Sequence, residues 1–190
     1  KFIIFHYTGM KKENDAINLL TDQKSKVSCH YFVKNNGEIL TLVPVSYISW
    51  HAGVSSWKKY KSINNNSIGI EISNPGHDFN YKQFSKKQIN SIIKLITFLI
   101  KKYKIKPNFI LGHSDIAPDR KKDPGEKFPW KYFSKYKIGF WHSLKEKKLL
   151  KKRNKKVNQL EKDNFIKNLY KLGYPKRIDL NKNKYSKILT

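Results

Sequence analysis

A single cysteine, Cys29, stands in 190 residues, so no disulfide can form within the chain. The same scarcity excludes a cysteine-rich zinc ribbon, and any metal bound here must be held by histidine and carboxylate. Cys29 lies in the apolar run Val27-Ser28-Cys29-His30-Tyr31-Phe32-Val33, the setting of a buried, inert thiol rather than of a nucleophile. The sequence also lacks any apolar run of the roughly 18 residues that a membrane-spanning helix needs. It opens on Lys1, without methionine and without space for a signal peptide before the first strand, so we expect either an excised piece or a processed form, its compartment hidden.

Acidic residues are few: 14 against 40 basic ones, for a formal charge of +26. Such a charge first suggests a polyanionic partner. Arginine, however, is limited to Arg120, Arg153 and Arg177, and base readout relies on its bidentate fork. No groove-reading helix or stacking sheet is visible either. A lysine-, asparagine- and isoleucine-rich chain reflects compositional bias, and no specific nucleic-acid partner is expected.

The length suits one domain with an appendage. Lys1 to His6 reads as a buried strand and Asn14 to Leu20 as a short helix. Two strand runs, Cys29 to Val33 and Glu38 to Val43, flank Asn36-Gly37, a hairpin signal. Residues 51–66 read as loop. Ser67 to Ser73 carries isoleucine at alternate positions, as a half-buried strand does. Ser85 and Gln88 match a capping box, and the apolar residues from Ile89 to Tyr103 recur at helical spacing. Asn108 to Leu111 makes a last strand ending at Gly112-His113. The reading is an α/β fold with a single central mixed sheet flanked by helices, followed by a short helical C-terminal segment. Three stretches follow from composition: a domain over 1–143, a basic linker or helix over 144–158, and over 159–190 the start of a small helical domain, with a helix from Asp163 to Leu172.

His6, His113 and Asp123 stand out as metal-ligand types at strand ends or in a loop. Catalytic zinc takes three protein ligands and leaves a fourth position to water. Two histidines closing separate strands, with a carboxylate after the second, could converge at one sheet edge, although a lone histidine is more often a satisfied polar residue.

Six stretches occur in order: His6-Tyr7-Thr8, Trp50-His51-Ala52-Gly53, Ser67-Ile68-Gly69-Ile70-Glu71, Gly112-His113-Ser114-Asp115-Ile116-Ala117-Pro118, Arg120-Lys121-Lys122-Asp123-Pro124-Gly125 and Phe128-Pro129-Trp130. Together, over residues 2–142, they closely resemble the zinc-dependent N-acetylmuramoyl-L-alanine amidases of the type-2 amidase family, which share the fold of the peptidoglycan recognition proteins. The envelope and anhydro-muramyl amidase subgroup is the nearest likeness. The resemblance implies one Zn2+ held by His6, His113 and Asp123, Glu71 as general base, and Lys121 steadying the reacting carbonyl. It places Trp50, His51 and Ala52 along the substrate groove. It implies hydrolysis of the amide between N-acetylmuramic acid, or its 1,6-anhydro form, and L-alanine in peptidoglycan or muropeptides.

The chemistry agrees: zinc can lower the pKa of bound water from about 15.7 to about 7 and polarise the carbonyl, and no covalent intermediate is required. His30 reads as a core or outer-shell histidine, Asp115 as a loop-orienting carboxylate, and Tyr7 as packing beside the site; His77 and His142 have no argued role. Where the family usually has glycine after Ile-Ala-Pro, this chain has Asp119. Phe165 to Tyr174 resembles the opening helix of a peptidoglycan-binding domain. A monomer in the bacterial envelope, periplasmic rather than cytoplasmic, is expected, and the basic surface suits anionic wall polymers. The rival reading is a non-catalytic peptidoglycan-recognition module on the same fold; such modules have usually lost a zinc ligand, whereas this chain keeps all three.

Overall fold

Alternation along the isoleucine-rich strands decides which side of the sheet is core. The structure is a computed structural model that describes residues 1–153 and 155–175. Its strands are β1 (Phe2–Tyr7), β2 (Tyr31–Val33), β3 (Ile39–Thr41), β4 (Ser56–Trp57), β5 (Tyr60–Lys61), β6 (Ser67–Ile72) and β7 (Ile110–Gly112). Its helices are α1 (Glu13–Thr21), α2 (Lys86–Tyr103), α3 (His113–Ile116), α4 (Trp130–Phe133), α5 (Glu146–Arg153) and α6 (Gln159–Leu172).

Five strands form one sheet in the order β3-β2-β6-β1-β7. β2 and β3 run antiparallel, while β2, β6, β1 and β7 are parallel. On one face Ile3, Phe5, Ile68, Ile70 and Ile72 pack against Ile92, Ile96 and Leu99 of α2. Each fully buried isoleucine contributes about 1.5–3 kcal/mol of transfer free energy, so this face anchors the domain. The opposite face is filled by Phe2 and Ile4 against Trp57, Ile63, Leu111 and Ile116. The alternation continues along the same strands and turns His6 and Glu71 to that second face, where they stand in register with each other.

The start of α2 is closed by Ser85 and Gln88 in a reciprocal capping box. Gln88 also donates from Nε2 to the Ser73 carbonyl at 2.8 Å, tying the helix to the end of β6. The expected hairpin is present: β2 and β3 pair antiparallel across Lys34 to Glu38.

Three elements differ from the sequence reading. Residues 51–66 are not all loop, because Ser56–Trp57 and Tyr60–Lys61 pair as a small hairpin and Ile63–Asn66 forms a 3-10 turn. A short helix, α4, lies at Trp130–Phe133. The last helix starts at Gln159 rather than Asp163, because Asn158 and Glu161 form a second capping box. The basic stretch is helical over Glu146–Arg153. α6 ends on the body of the domain: Lys58 N–H donates to the Gly173 carbonyl at 2.7 Å, and Tyr174 meets the Trp57 ring edge-on at 5.0 Å. The remainder of the 159–190 stretch, from 176 on, lies outside the described residues. No helix among those described is long and apolar enough to cross a membrane.

Candidate metal centre

Parallel strands deliver their side chains at their carboxyl ends, where open α/β sheets bind ligands. Here β6, β1 and β7 are neighbours, so Glu71, His6 and His113 arrive side by side although up to 107 residues separate the two histidines. Asp123 comes from the loop after α3. Ser114 N–H donates to its backbone carbonyl at 2.9 Å. At Gly112 a Cβ would stand 2.6 Å from Pro124 Cδ, so the absent side chain lets that loop close on the strand end.

His6, His113 and Asp123 are all buried. His6 Nδ1 lies 2.9 Å from His113 Nδ1 and 2.9 Å from Asp123 Oδ2, and His113 Nδ1 lies 3.1 Å from the same oxygen. His113 Nε2 is 3.1 Å from the Ala52 carbonyl. A carbonyl only accepts, so that nitrogen carries the proton and a neutral His113 has a bare Nδ1. Two imidazole nitrogens and a carboxylate oxygen thus converge on one point. Two imidazoles and one carboxylate suit a transition-metal cation, and the partner on the far nitrogen is the usual means of orienting a ligating histidine.

Electrostatics reinforce the set. Burial, with His113 adding to it, pushes His6 down to about 4, so its ring is neutral near pH 7. Burial alone would raise Asp123, but the His113 and His6 rings beside it outweigh that and hold the carboxyl well below its usual range. Glu71 behaves oppositely. Burial, helped by the Asp123 charge and opposed by Lys121, raises it to about 8. Its Oε2 is sealed from solvent and has no hydrogen-bond partner among the described residues.

These groups line a cleft of about 510 Å³ whose walls include Glu71, Lys121, Trp50, Met10, Leu19 and Val27. Trp50 is half exposed there and Lys121 is exposed. His51 borders the cleft but is 9% exposed, and Ala52 is fully buried in the second core with only its carbonyl turned to His113. Tyr7 hydrogen-bonds His77 Nδ1 at 2.8 Å, and His77 Nε2 reaches Glu126 at 2.9 Å. Asp115 Oδ2 accepts the Gly112 N–H at 2.8 Å beside His113. Asp119 stays outside the left-handed region, so its position does not require glycine. Cys29 is fully buried and its thiol is pushed well above the ordinary value.

Two contributors lie within the quoted stretches but were given no role by the sequence. Arg120 donates to the carbonyls of Ala52 and Val54, at 2.5 and 2.7 Å, and so clamps the loop that orients His113. Its rarity among so many lysines was the one available hint. Ser67 stands behind His51 at 3.0 Å, and a serine opening a strand carries no such information.

The family profile described as N-acetylmuramoyl-L-alanine amidase matches residues 1–126. The chain is 38% identical over 153 residues, 74% of its length and 54% of the other's, to the N-acetylmuramoyl-L-alanine amidase AmiD of Escherichia coli K12. It is 38% identical over 108 residues, 57% of this chain and 56% of that one, to the 1,6-anhydro-N-acetylmuramyl-L-alanine amidase AmpD of Citrobacter freundii. The chain spans little more than half the length of these curated relatives. Among solved structures, the complex of E. coli AmiD with anhydro-N-acetylmuramic acid-L-Ala-D-gamma-Glu-L-Lys superposes with a TM-score of 0.78 at 32% identity, over 95% of this chain and 74% of that one.

Proposed function

Since this chain belongs to the N-acetylmuramoyl-L-alanine amidase family, we propose that it hydrolyses the amide between N-acetylmuramic acid, ordinary or 1,6-anhydro, and L-alanine in peptidoglycan or muropeptides. The observation that carries the reading is the buried convergence of His6, His113 and Asp123 on one point beside Glu71, whose Oε2 has no hydrogen-bond partner among the described residues. The relatives named for the 1,6-anhydro sugar support a muropeptide as substrate.

His6, His113 and Asp123 would hold one Zn2+, which when bound supplies Lewis acidity toward the scissile carbonyl and an acidified water. The chain's own residues do the rest. Glu71, raised to about 8, takes a proton from the attacking water and returns it to the departing amine nitrogen, a contribution of roughly 10²–10⁴-fold. A group poised near the working pH can make both transfers. Lys121, on the cleft wall, supplies positive charge where the carbonyl oxygen becomes anionic, worth about 3–4 kcal/mol by analogy with other oxyanion donors. Trp50 offers a half-exposed ring in the same cleft. No side chain need form a covalent bond to the substrate. Residues 1–143 form the catalytic domain in this reading, with 144–158 as linker and the stretch from 159 as an accessory to wall binding. The proposed setting is the bacterial envelope, on the periplasmic side, with the chain acting as a monomer.

Hydrolysis of a defined muramyl tripeptide tests this, using zinc-loaded protein, chelated protein and Glu71→Ala. Free peptide should appear only with zinc, and at least 100-fold more slowly in the variant. Muropeptide that binds without being cleaved would make the chain a recognition module and end the mechanism.

A further inference from the structure

We propose that His51, backed by Ser67, is a positioning residue that keeps the proton of His6 on Nε2 and so leaves the His6 Nδ1 lone pair facing His113 and Asp123. The inference rests on those three residues being the ligand set.

The direction of each hydrogen bond follows from what each atom can do. Ser67 Oγ lies 2.7 Å from the Ile63 carbonyl, which can only accept, so the one hydroxyl proton of Ser67 is committed there. Ser67 must then accept from His51 Nε2 at 3.0 Å. A neutral His51 with its proton on Nε2 has a bare Nδ1, and that atom lies 3.0 Å from His6 Nε2. His6 is therefore the donor across this contact and its proton is on Nε2. Read in order, Ile63 accepts from Ser67, Ser67 from His51 and His51 from His6. Reversing the chain would put the His6 proton on Nδ1, between the two groups with which that atom is meant to share a cation.

The surroundings hold His51 in place. A Cβ on Gly69 would stand 2.3 Å from His51 Cγ, so the ring occupies space that only glycine leaves free. Gly69 is itself held by His30, whose Nδ1 accepts the Gly69 N–H at 3.0 Å and the Ser49 hydroxyl at 2.7 Å. Asn64 Oδ1 accepts the backbone N–H groups of His51 and Ala52 at 3.2 and 2.7 Å. The outer partner of a ligating histidine is commonly worth 10–100-fold in metal affinity.

The test compares wild type with His51→Ala, His51→Asn, His51→Gln and Ser67→Ala. An asparagine amide oxygen falls near where Nδ1 was and can still accept from His6, whereas the glutamine amide lies near Nε2 and cannot. Zinc affinity by chelator competition should fall roughly 10–100-fold in His51→Ala, His51→Gln and Ser67→Ala, and His51→Asn should recover most of the loss. Nitrogen-15 spectra of the metal-free protein should show His6 protonated on Nε2 in wild type and His51→Asn. Mixed tautomers are expected in His51→Ala. Unchanged zinc affinity and tautomer in His51→Ala overturns the proposal while leaving the amidase reading intact. A wild type that binds no zinc overturns both. His6 protonated on Nδ1 in metal-free wild type overturns the relay alone.

Discussion

Glu71 stands opposite His6 in the β1–β6 register with its Oε2 sealed and partnerless among the described residues, an expensive arrangement for a carboxyl. Its folded-state value of about 8 exceeds the ordinary 4.5. Between those two values the unfolded chain ionises more readily than the folded one, so this residue removes stability as pH rises and stops doing so above about 8. His6 acts in the opposite sense: pushed down to about 4, it favours folding as pH rises from 4 toward 6.5. Subtracting one variant from another isolates the glutamate. Metal-free Glu71→Gln should match wild type in melting temperature below about pH 4.5 and become steadily more stable than it up to about pH 8. Parallel melting curves across that range would mean that Glu71 is solvated. Such a residue is destabilising where it sits, as groups placed for chemistry often are.

At this scale the sequence was informative where side-chain type was decisive. His6, His113, Asp123 and Glu71 could be picked out because the metal and base roles restrict the residue types, and their neighbours formed ordered short stretches. His51 was legible as a member of Trp-His-Ala-Gly, but its orientation was not. Whether a ring faces the groove or the layer beneath depends on Gly69 and Ser67, which lie 16 or more residues further along the chain in a stretch that says nothing of their contact with His51.

Among the elements, α2 was readable because capping chemistry and a 3–4 apolar spacing coincide. β4 and β5 were missed because two-residue strands leave no alternation to detect. The start of α6 was placed four residues late, since Asn158 and Glu161 sit in a polar stretch where a cap does not stand out. This helix reaches the candidate site through the residue just past its C-cap. Tyr174 donates to Asp115 Oδ1 at 2.5 Å, while Asp115 Oδ2 holds the N–H of Gly112, the residue before His113. Burial raises Asp115, and those two hydrogen bonds oppose the rise. Tyr174→Phe would leave a buried carboxylate oxygen without its donor, costing about 1–3 kcal/mol. The melting temperature of the variant should drop accordingly, and zinc should restore part of the loss because metal binds only the folded chain. A variant as stable as wild type would show that α6 rests on the domain without supporting it.

Across the whole molecule two properties are independent of each other. The site is made by topology, since three adjacent parallel strands end at one edge and bring distant residues together. The charge of +26 is spread over lysines along the entire sequence and has no such geometry. It acts through long-range attraction, which salt screens: the Debye length falls from about 10 Å at 0.1 M to about 3 Å at 1 M. A buried cleft reaction is screened far less than the approach to a polyanionic surface. Raising salt from 0.1 to 1 M should therefore slow release of peptide from intact walls rich in anionic polymer severalfold more than hydrolysis of a small muropeptide by the same protein. Equal salt dependence on the two substrates would make the charge a consequence of lysine-rich composition with no part in residence on the wall. A steeper loss on the intact wall, with the small substrate unaffected, would separate the two physical jobs: surface charge gathers the enzyme onto its polymer, and the sheet edge performs the chemistry.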